Sequence, residues 1–307
     1  MIGVLGLVAP VFALIALGYG AATRKMVSDE GLKTLNDFAF YLCAPALLFA
    51  GASSAPVGGR AGAVFFGGVL VVYAVALLLG RKLLRRRWTE SGVLALNSTF
   101  GNTFMLGLPI VLSAYGPGGV SVAVAIIGLH SLILLPITTV IMEMDLNRGA
   151  SPVKVALATL RSVTAHPIVA AVLAGFAWHL LMPPLPVPVR RFLDLLGGGM
   201  VPILLFCLGA SLRSFEIRRE WADAALIGAL KLFLQPALVW AASAAAGLSP
   251  LESAVAVTLA AMPTGANAFL MARRYAVGME RSGAAVLMTT VASVLTLSVV
   301  LAAFPGR

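Results

Sequence analysis

The chain has 307 residues, of which 60% are hydrophobic and 11% charged, where a soluble domain carries about 25% charged residues. One water-soluble core cannot hide that much apolar surface, so an ordinary globular protein is excluded and the solvent is mostly lipid. The net charge of +10 is read as membrane topology rather than nucleic-acid binding, because the basic residues sit in short loops between apolar runs.

Ten apolar runs of roughly 20 residues use the whole length, each long enough to cross a bilayer. They cover 2–22, 34–54, 61–80, 91–115, 119–142, 160–182, 190–212, 221–246, 250–272 and 283–304. The first run has no basic residue before it and is followed by Arg24-Lys25. A cleaved signal peptide carries its charge first, so this run is expected to stay as a span. Asp37, at the start of the second, is read as interfacial, or as a proton carrier if buried. Cys43 and Cys207 lie inside apolar runs and are expected to be small, reduced core residues.

The fourth run is interrupted by Gly101-Asn102-Thr103 and Gly107-Leu108-Pro109, and the ninth by Met262-Pro263-Thr264-Gly265-Ala266-Asn267. Lipid offers no partner for a freed backbone N–H or C=O, so such breaks survive only when buried in protein or lining a polar cavity. Paired breaks, one in each half, point to the substrate site of a secondary transporter. The fifth run carries His130 at its centre and the eighth Lys231, with Gln235 one turn on and Pro236 beside it. The longest polar gap, Glu143 to Lys154, is the midpoint. It divides the chain into a first five-helix repeat (1–142), a cytoplasmic linker (143–159) and a second repeat (160–307).

Loops after odd-numbered runs hold 17 Lys and Arg, from Arg24 to Arg281, against four on the other side: Arg60, Arg190, Arg191 and Arg307. The odd loops are therefore expected in the cytoplasm and both termini outside. Five spans per half is odd, so the second half enters the membrane inverted. Pro45-Ala46-Leu47-Leu48-Phe49 matches Pro202-Ile203-Leu204-Leu205-Phe206 at a distance of 157 residues (202 − 45), and Pro109 matches Pro263 at 154 (263 − 109). Near-equal offsets predict one duplicated unit. The expected fold is an all-α integral membrane protein of ten helices in two inverted repeats, its broken fourth and ninth spans crossing near the bilayer midplane.

At these residues the chain resembles the auxin efflux carrier family, whose bacterial members include malonate and malate permease-like proteins. The matching stretches are Leu35-Asn36-Asp37-Phe38 leading to Pro45, Gly101-Asn102-Thr103 through Pro109, Lys231 with Pro236, and Ala261-Met262-Pro263 through Asn267 to Arg273-Arg274-Tyr275. The resemblance covers the whole chain, without the large central hydrophilic loop of the plant proteins. It implies a fold shared with bile-acid sodium symporters, a scaffold of spans one, two, six and seven, and a mobile transport part of spans three to five and eight to ten. It also implies homodimers, an elevator-type motion and organic-anion substrates.

Each candidate residue has a bland reading beside the functional one. Pro109 and Pro263 interrupt a helix and suit a helix start, so each is expected to begin a half-helix whose positive end favours a carboxylate; a plain proline kink is the alternative. Gly101, Gly107 and Gly265 are expected to loosen the break. Asn102 and Asn267 bind substrate or close the broken ends, or only bond a neighbouring helix. Thr103 and Thr264 bind substrate or cap. Lys231 attracts the anion or neutralises a carboxylate, or else snorkels and pairs with a helix carbonyl. His130 binds substrate or relays a proton, or is a satisfied interior histidine. His166 and His179 are read as structural. Thr289, Thr290, Ser293 and Thr296 line the cavity or pack helices.

No metal, cofactor or nucleotide motif is expected, and the partners are lipid and a small organic anion. Gly51-Ala52-Ser53-Ser54 and Gly209-Ala210-Ser211-Leu212 fit a G-x-S-x pattern, but no histidine is placed to activate either serine, so an intramembrane protease is set aside. A receptor of the same fold calls for a soluble signalling domain. A sodium-coupled symporter calls for acidic ligands at the crossing, and the breaks hold no Asp or Glu.

Overall fold

In lipid an apolar run has no backbone partner but itself, so its composition dictates a helix. The computed structural model describes residues 2–53, 59–146, 167–213 and 220–305, and among these every named element is helical. Helix α1 is Ile2–Thr23. Helix α2 (Asp29–Phe38) runs through a one-turn π segment, Ala39–Cys43, into α3 (Ala44–Ala52). Helix α4 (Arg60–Leu78) ends in a π segment, Leu79–Leu83, and α5 is Trp88–Thr99. A π segment at Thr103–Gly107 opens into α6 (Leu108–Leu146), which bends at Gly116 (φ 64°) before Pro117. Then come α7 (Pro167–Leu181), α8 (Val187–Gly198) and α9 (Met200–Leu212). Helix α10 (Trp221–Ala229), a π segment at Leu230–Leu234 and α11 (Gln235–Ala245) form one rod. Helices α12 (Pro250–Ala260), α13 (Ala266–Arg274) and α14 (Met279–Ala303) complete the chain.

Among the described residues, six continuous helical stretches are long and apolar enough to cross a membrane: Asp29–Ala52, Arg60–Leu83, Thr103–Leu146, Val187–Leu212, Trp221–Ala245 and Met279–Ala303. The expected fourth and ninth runs are each split, between α5 and the Thr103 segment and between α12 and α13. The Gly116 bend separates the fourth run from the fifth. Helix α6 extends to Leu146, into the expected linker. The rest of that linker, with Arg148 and Lys154, lies outside the described residues, as do Arg161, His166, Arg218, Arg219 and Arg307.

Polar contacts sort the helix ends. Arg86 pairs with Asp223 (2.6 Å), and Arg281 with Glu90 (3.4 Å), Glu220 (3.1 Å) and Asp223 (3.2 Å). The N-terminal ends of α5, α10 and α14 therefore meet. Tyr275 donates to Glu143 (2.8 Å) and the Thr89 N–H to Asp145 (3.1 Å), which brings the C-terminal ends of α6 and α13 to the same end. At the opposite end the Arg60 guanidinium donates to the Ala246 carbonyl, and Tyr115 to the Phe304 carbonyl (3.1 Å).

In lipid, helices gain little from water release and pack where small residues let backbones approach. Helix α1 lies on α9 in this way: a Cβ at Gly18 would fall 1.9 Å from the Phe206 carbonyl oxygen. Helix α7 lies on α3 likewise, a Cβ at Gly175 falling 2.8 Å from the Phe49 carbonyl oxygen. Both partners are displaced by 157 residues (175 − 18 and 206 − 49). The largest core cluster, including Phe65, Val69, Leu96, Leu108, Ile126 and Leu259, packs around the two breaks, whereas Leu70, Val71, Phe233, Trp240, Leu295 and Val299 face outward.

Candidate functional site

Helix α5 stops at Thr99 and α12 at Ala260, and the two non-helical stretches that follow pair with each other. Gly101 and Thr264 form an antiparallel bridge. The Asn102 N–H donates to the Pro263 carbonyl (2.7 Å) and the Gly265 N–H to the Phe100 carbonyl (2.8 Å). Groups released by breaking two helices thus satisfy one another, as a buried backbone must. Pro263 has no N–H and offers the ladder only its carbonyl. Glycine is favoured by proximity: a Cβ at Gly265 would lie 3.1 Å from the Gly101 oxygen, and one at Gly101 would lie 3.3 Å from Lys231 Cε and Nζ.

One side of this crossing gathers helix C-termini, where the last carbonyls lack intrahelical donors. Here they are met by side chains. Lys231 Nζ donates to the Ala260 carbonyl (2.6 Å), and Gln235 Nε2 approaches the Thr99 carbonyl (3.4 Å). Thr264 Oγ1 donates to the Asn97 carbonyl (2.9 Å), while the Thr264 N–H donates to Thr289 Oγ1 (3.0 Å). Lys231, Gln235, Thr264 and Thr289 are all fully buried. Lys231 lies in the π segment Leu230–Leu234, a local widening that often marks a functional position.

The other side gathers helix N-termini. The first bonds of the Thr103 segment run from the Leu106 and Gly107 N–H groups to the Asn102 carbonyl (3.3 and 3.0 Å). The N–H groups of Thr103, Phe104 and Met105 precede them. In α13 the first bond is Ala268 N–H to Gly265 (3.0 Å), after Ala266 and Asn267. Each such end carries roughly half a positive charge. Asn102 is 5% exposed, and its Nδ2 has no partner. His130 is 1% exposed and accepts from the Gly101 N–H at Nε2 (3.1 Å). A neutral ring that accepts at Nε2 carries its proton on Nδ1, and Nδ1 has no partner either. The rings of Phe65, Phe66 and Phe100 stand 5.7, 6.2 and 4.7 Å from the imidazole and fix it. Phe100 to Met105, His130 and Gly265 to Asn267 line a cavity of ≈ 260 Å³, which Asn36, Asp37, Phe40 and Tyr41 line as well.

Of the expected site residues, Asn102, Thr103, His130, Asn267, Gly101 and Gly265 therefore share this cavity. Five others do not, each for a physical reason. Lys231 stands behind the Gly101 backbone on a helix carbonyl, as its bland reading had it, but at the crossing rather than snorkelling outward. Thr264 spends both its hydroxyl and its N–H on structure. Pro109 is the second residue of α6, past the π segment, and Pro263 lies in the paired stretch before α13, so neither begins its half-helix. Asn102 and Gly265 hold the N-cap positions instead. The paired residues are 163 apart (264 − 101), not 154, because the backbone ladder sets the register and the prolines do not. Gly107 is a packing glycine: a Cβ there would lie 2.8 Å from Leu259 Cδ2.

Asp37 is half-buried on the cavity wall, between its two expected readings. His179 contacts the Ser53 carbonyl (3.2 Å) at the surface, as a structural residue. Thr290 and Ser293 bond to carbonyls of their own helix (2.6 and 2.7 Å). Asn97 was not singled out by sequence, yet its buried amide donates to the Val93 carbonyl (2.8 Å) and Ser282 (2.7 Å). An asparagine within an apolar run, just before the break at Gly101, is the signal that marks it.

A family model described as membrane transport protein matches residues 4–301. A Rhizobium meliloti protein named "Putative malonate transporter" is 31% identical over 303 residues, covering 97% of this chain and 95% of its own. An uncharacterized transporter of Methanocaldococcus jannaschii is 24% identical over 298 residues, with 94% of each chain covered. Auxin efflux carrier component 8 of Arabidopsis thaliana is 24% identical over 323 residues, covering 87% of this chain and 88% of its own.

Proposed function

The chain belongs to the membrane transport protein family, that of the auxin efflux carriers, and from that premise we propose that it is a secondary carrier of a small carboxylate anion. It is a multi-pass membrane transporter and not an enzyme. The observation that carries the substrate reading is the convergence on one cavity of two buried residues with unpartnered donors, Asn102 and His130, and two helix N-termini. A carboxylate supplies acceptors for the donors of Asn102 and His130 that have no partner, and charge-assisted bonds to it are worth about 1.5–3 kcal/mol each. The volume suits an anion of a few carbons, in keeping with the malonate and auxin in the names of the relatives.

The antiparallel exchange at Gly101 and Thr264, and the glycine contacts repeated at 157 residues, support two inverted five-helix repeats. The cavity is lined by α2 and its π segment, on the side read as scaffold, and by the paired breaks, read as the transport part. An elevator motion would carry the crossing past that scaffold, in a homodimer embedded in the cell (inner) membrane with both termini outside. The test is uptake by proteoliposomes offered a panel of mono- and dicarboxylates. Saturable uptake that Asn102→Ala weakens without loss of folded protein is expected. Saturable uptake indifferent to Asn102→Ala overturns the reading.

A further inference from the structure

The cavity that receives the spare donors of Asn102 and His130 also has an acid on it. Asn36, Asp37, Phe40 and Tyr41 line it from α2 and the π segment that follows. Residues four apart share one face of a helix, so the pairs Asn36–Phe40 and Asp37–Tyr41 turn a stripe of side chains, not backbone, to this space. Asp37 is half-buried. No hydrogen bond or ion pair to another described residue holds its carboxylate. The nearest cation along the helix is Lys33, one turn back and exposed. Helix α9, which packs on α2, carries no Asp, Glu, Lys, Arg or His, and neither does the π segment. A carboxylate drawn out of water needs a donor or a cation, and for Asp37 the described protein supplies neither. What enters the cavity is left to supply it.

We propose that Asp37 selects the substrate: an anion with one carboxylate for Asn102, His130 and the helix N-termini, and a hydrogen-bond donor elsewhere for Asp37. The inference rests on reading the cavity as the substrate site, and deepens it by naming the chemical class. A full dianion suits the two N-termini but brings its second carboxylate to a like charge. In a cavity of ≈ 260 Å³ no part of a bound molecule is far from Asp37, and like charges at short range in a partly dry site repel strongly. An anion without a donor escapes that repulsion and leaves Asp37 unsatisfied. An anion with a donor meets both requirements, since a bond from it to a carboxylate is charge-assisted. Three kinds of molecule have this pattern: a hydroxy acid, an amino acid, and a dicarboxylate with one carboxyl protonated. Asn36, beside Asp37, can donate or accept and so discriminates little; the charge of Asp37 does.

The test measures binding to the purified protein by calorimetry and thermal unfolding, in mildly alkaline buffer where both carboxyls of malonate are ionised. Malonamate keeps one carboxylate and puts an amide donor in place of the other, standing in for half-protonated malonate. The hydroxyl of β-hydroxypropionate and the ammonium of β-alanine represent the other two kinds, and monomethyl malonate has no donor. At least one donor-bearing anion is expected to bind wild type about tenfold tighter than either malonate or monomethyl malonate, as a bond to a charged group implies; which one it is identifies the class. Asp37→Asn is expected to shrink that margin to about threefold or less and to tighten malonate. The melting temperature of the ligand-free protein should not change, because Asp37 has no bond to lose. Asp37→Glu is expected to keep the wild-type order. Wild type that binds malonate as tightly as the donor-bearing anions overturns the proposal. So does a folded Asp37→Asn that keeps the wild-type order. Should Asp37→Asn not fold, Asp37→Ser takes its place with the same two outcomes. Asn102→Ala separates the two readings: it is expected to weaken all five anions alike, and if it is silent while Asp37→Asn changes the order, the carboxylate seat is misplaced and the selection by Asp37 stands. Binding by none of the five overturns both.

Discussion

The two faces of the crossing are built from the same material and finished differently. On the C-terminal face, carbonyls of α5 and α12 are met by Lys231, Gln235 and Thr264. On the N-terminal face, the leading N–H groups of two helices look toward a cavity whose wall includes Asn102 and His130, each with a donor left over. A buried polar group without a partner costs about 1–3 kcal/mol. The atoms left over on the first face, Gln235 Oε1 and Asn97 Oδ1, are acceptors, and those left over on the second, Asn102 Nδ2 and His130 Nδ1, are donors, which is the basis for proposing an anion at the second. The difference separates residues that hold the break together from residues that use it, which their chemistry alone does not.

Mutations break this comparison in graded ways. The largest effect is expected from the C-terminal face. Lys231→Met leaves the Ala260 carbonyl unpaired, costing about 1–3 kcal/mol of stability with at least a tenfold loss of uptake; thermal unfolding and proteoliposome flux read the two. Asn102→Ala strikes the N-terminal face. Its KM for a transported carboxylate should rise about tenfold to a hundredfold, as loss of a bond to a charged group implies, with the melting temperature nearly unchanged. His130→Phe keeps the aromatic packing but takes the acceptor from the Gly101 N–H and the donor from the wall. A rise in KM of about fivefold should accompany about 1 kcal/mol of destabilisation, so this residue sits on the boundary. The smallest effects come from a matched pair. Thr264→Val should cost about 1 kcal/mol and leave KM alone. Thr103→Val should raise KM about twofold and leave stability alone. If the pair behaves the other way round, the faces have been assigned wrongly.

Much of this was legible in the chain before any coordinates. Gly101-Asn102 and Pro263-Thr264-Gly265 stand out because a helix in lipid has little reason to carry Gly, Pro and Asn together, and they mark the two non-helical stretches that pair with each other. Asn102, Asn267 and His130 stand out for the same reason, as polar groups at lipid depth. The register was not legible. Pro109 and Pro263 look like counterparts, yet proline is tolerated both in a first helical turn and in an extended stretch, so the residue type does not say which. Backbone pairing of Gly101 with Thr264 decides it. The side on which Lys231 falls was equally hidden. Depth along a span follows from counting residues, but facing depends on the rotation of the rod, and the π segment at Leu230–Leu234 alters that rotation without any sequence signature. Asp37 illustrates the same limit, since its half-buried place on the wall depends on how α2 meets the crossing.

The most direct test of the N-terminal face is to see where a carboxylate goes. A structure of the protein saturated with a bromine-substituted dicarboxylate, with the bromine located by its anomalous signal, fixes the position independently of any transport assay. A carboxylate within hydrogen-bond reach of Asn102 Nδ2 and of the first N–H groups of α13 is the expected result. A carboxylate seated on Lys231, or a cavity left empty at saturation, contradicts it.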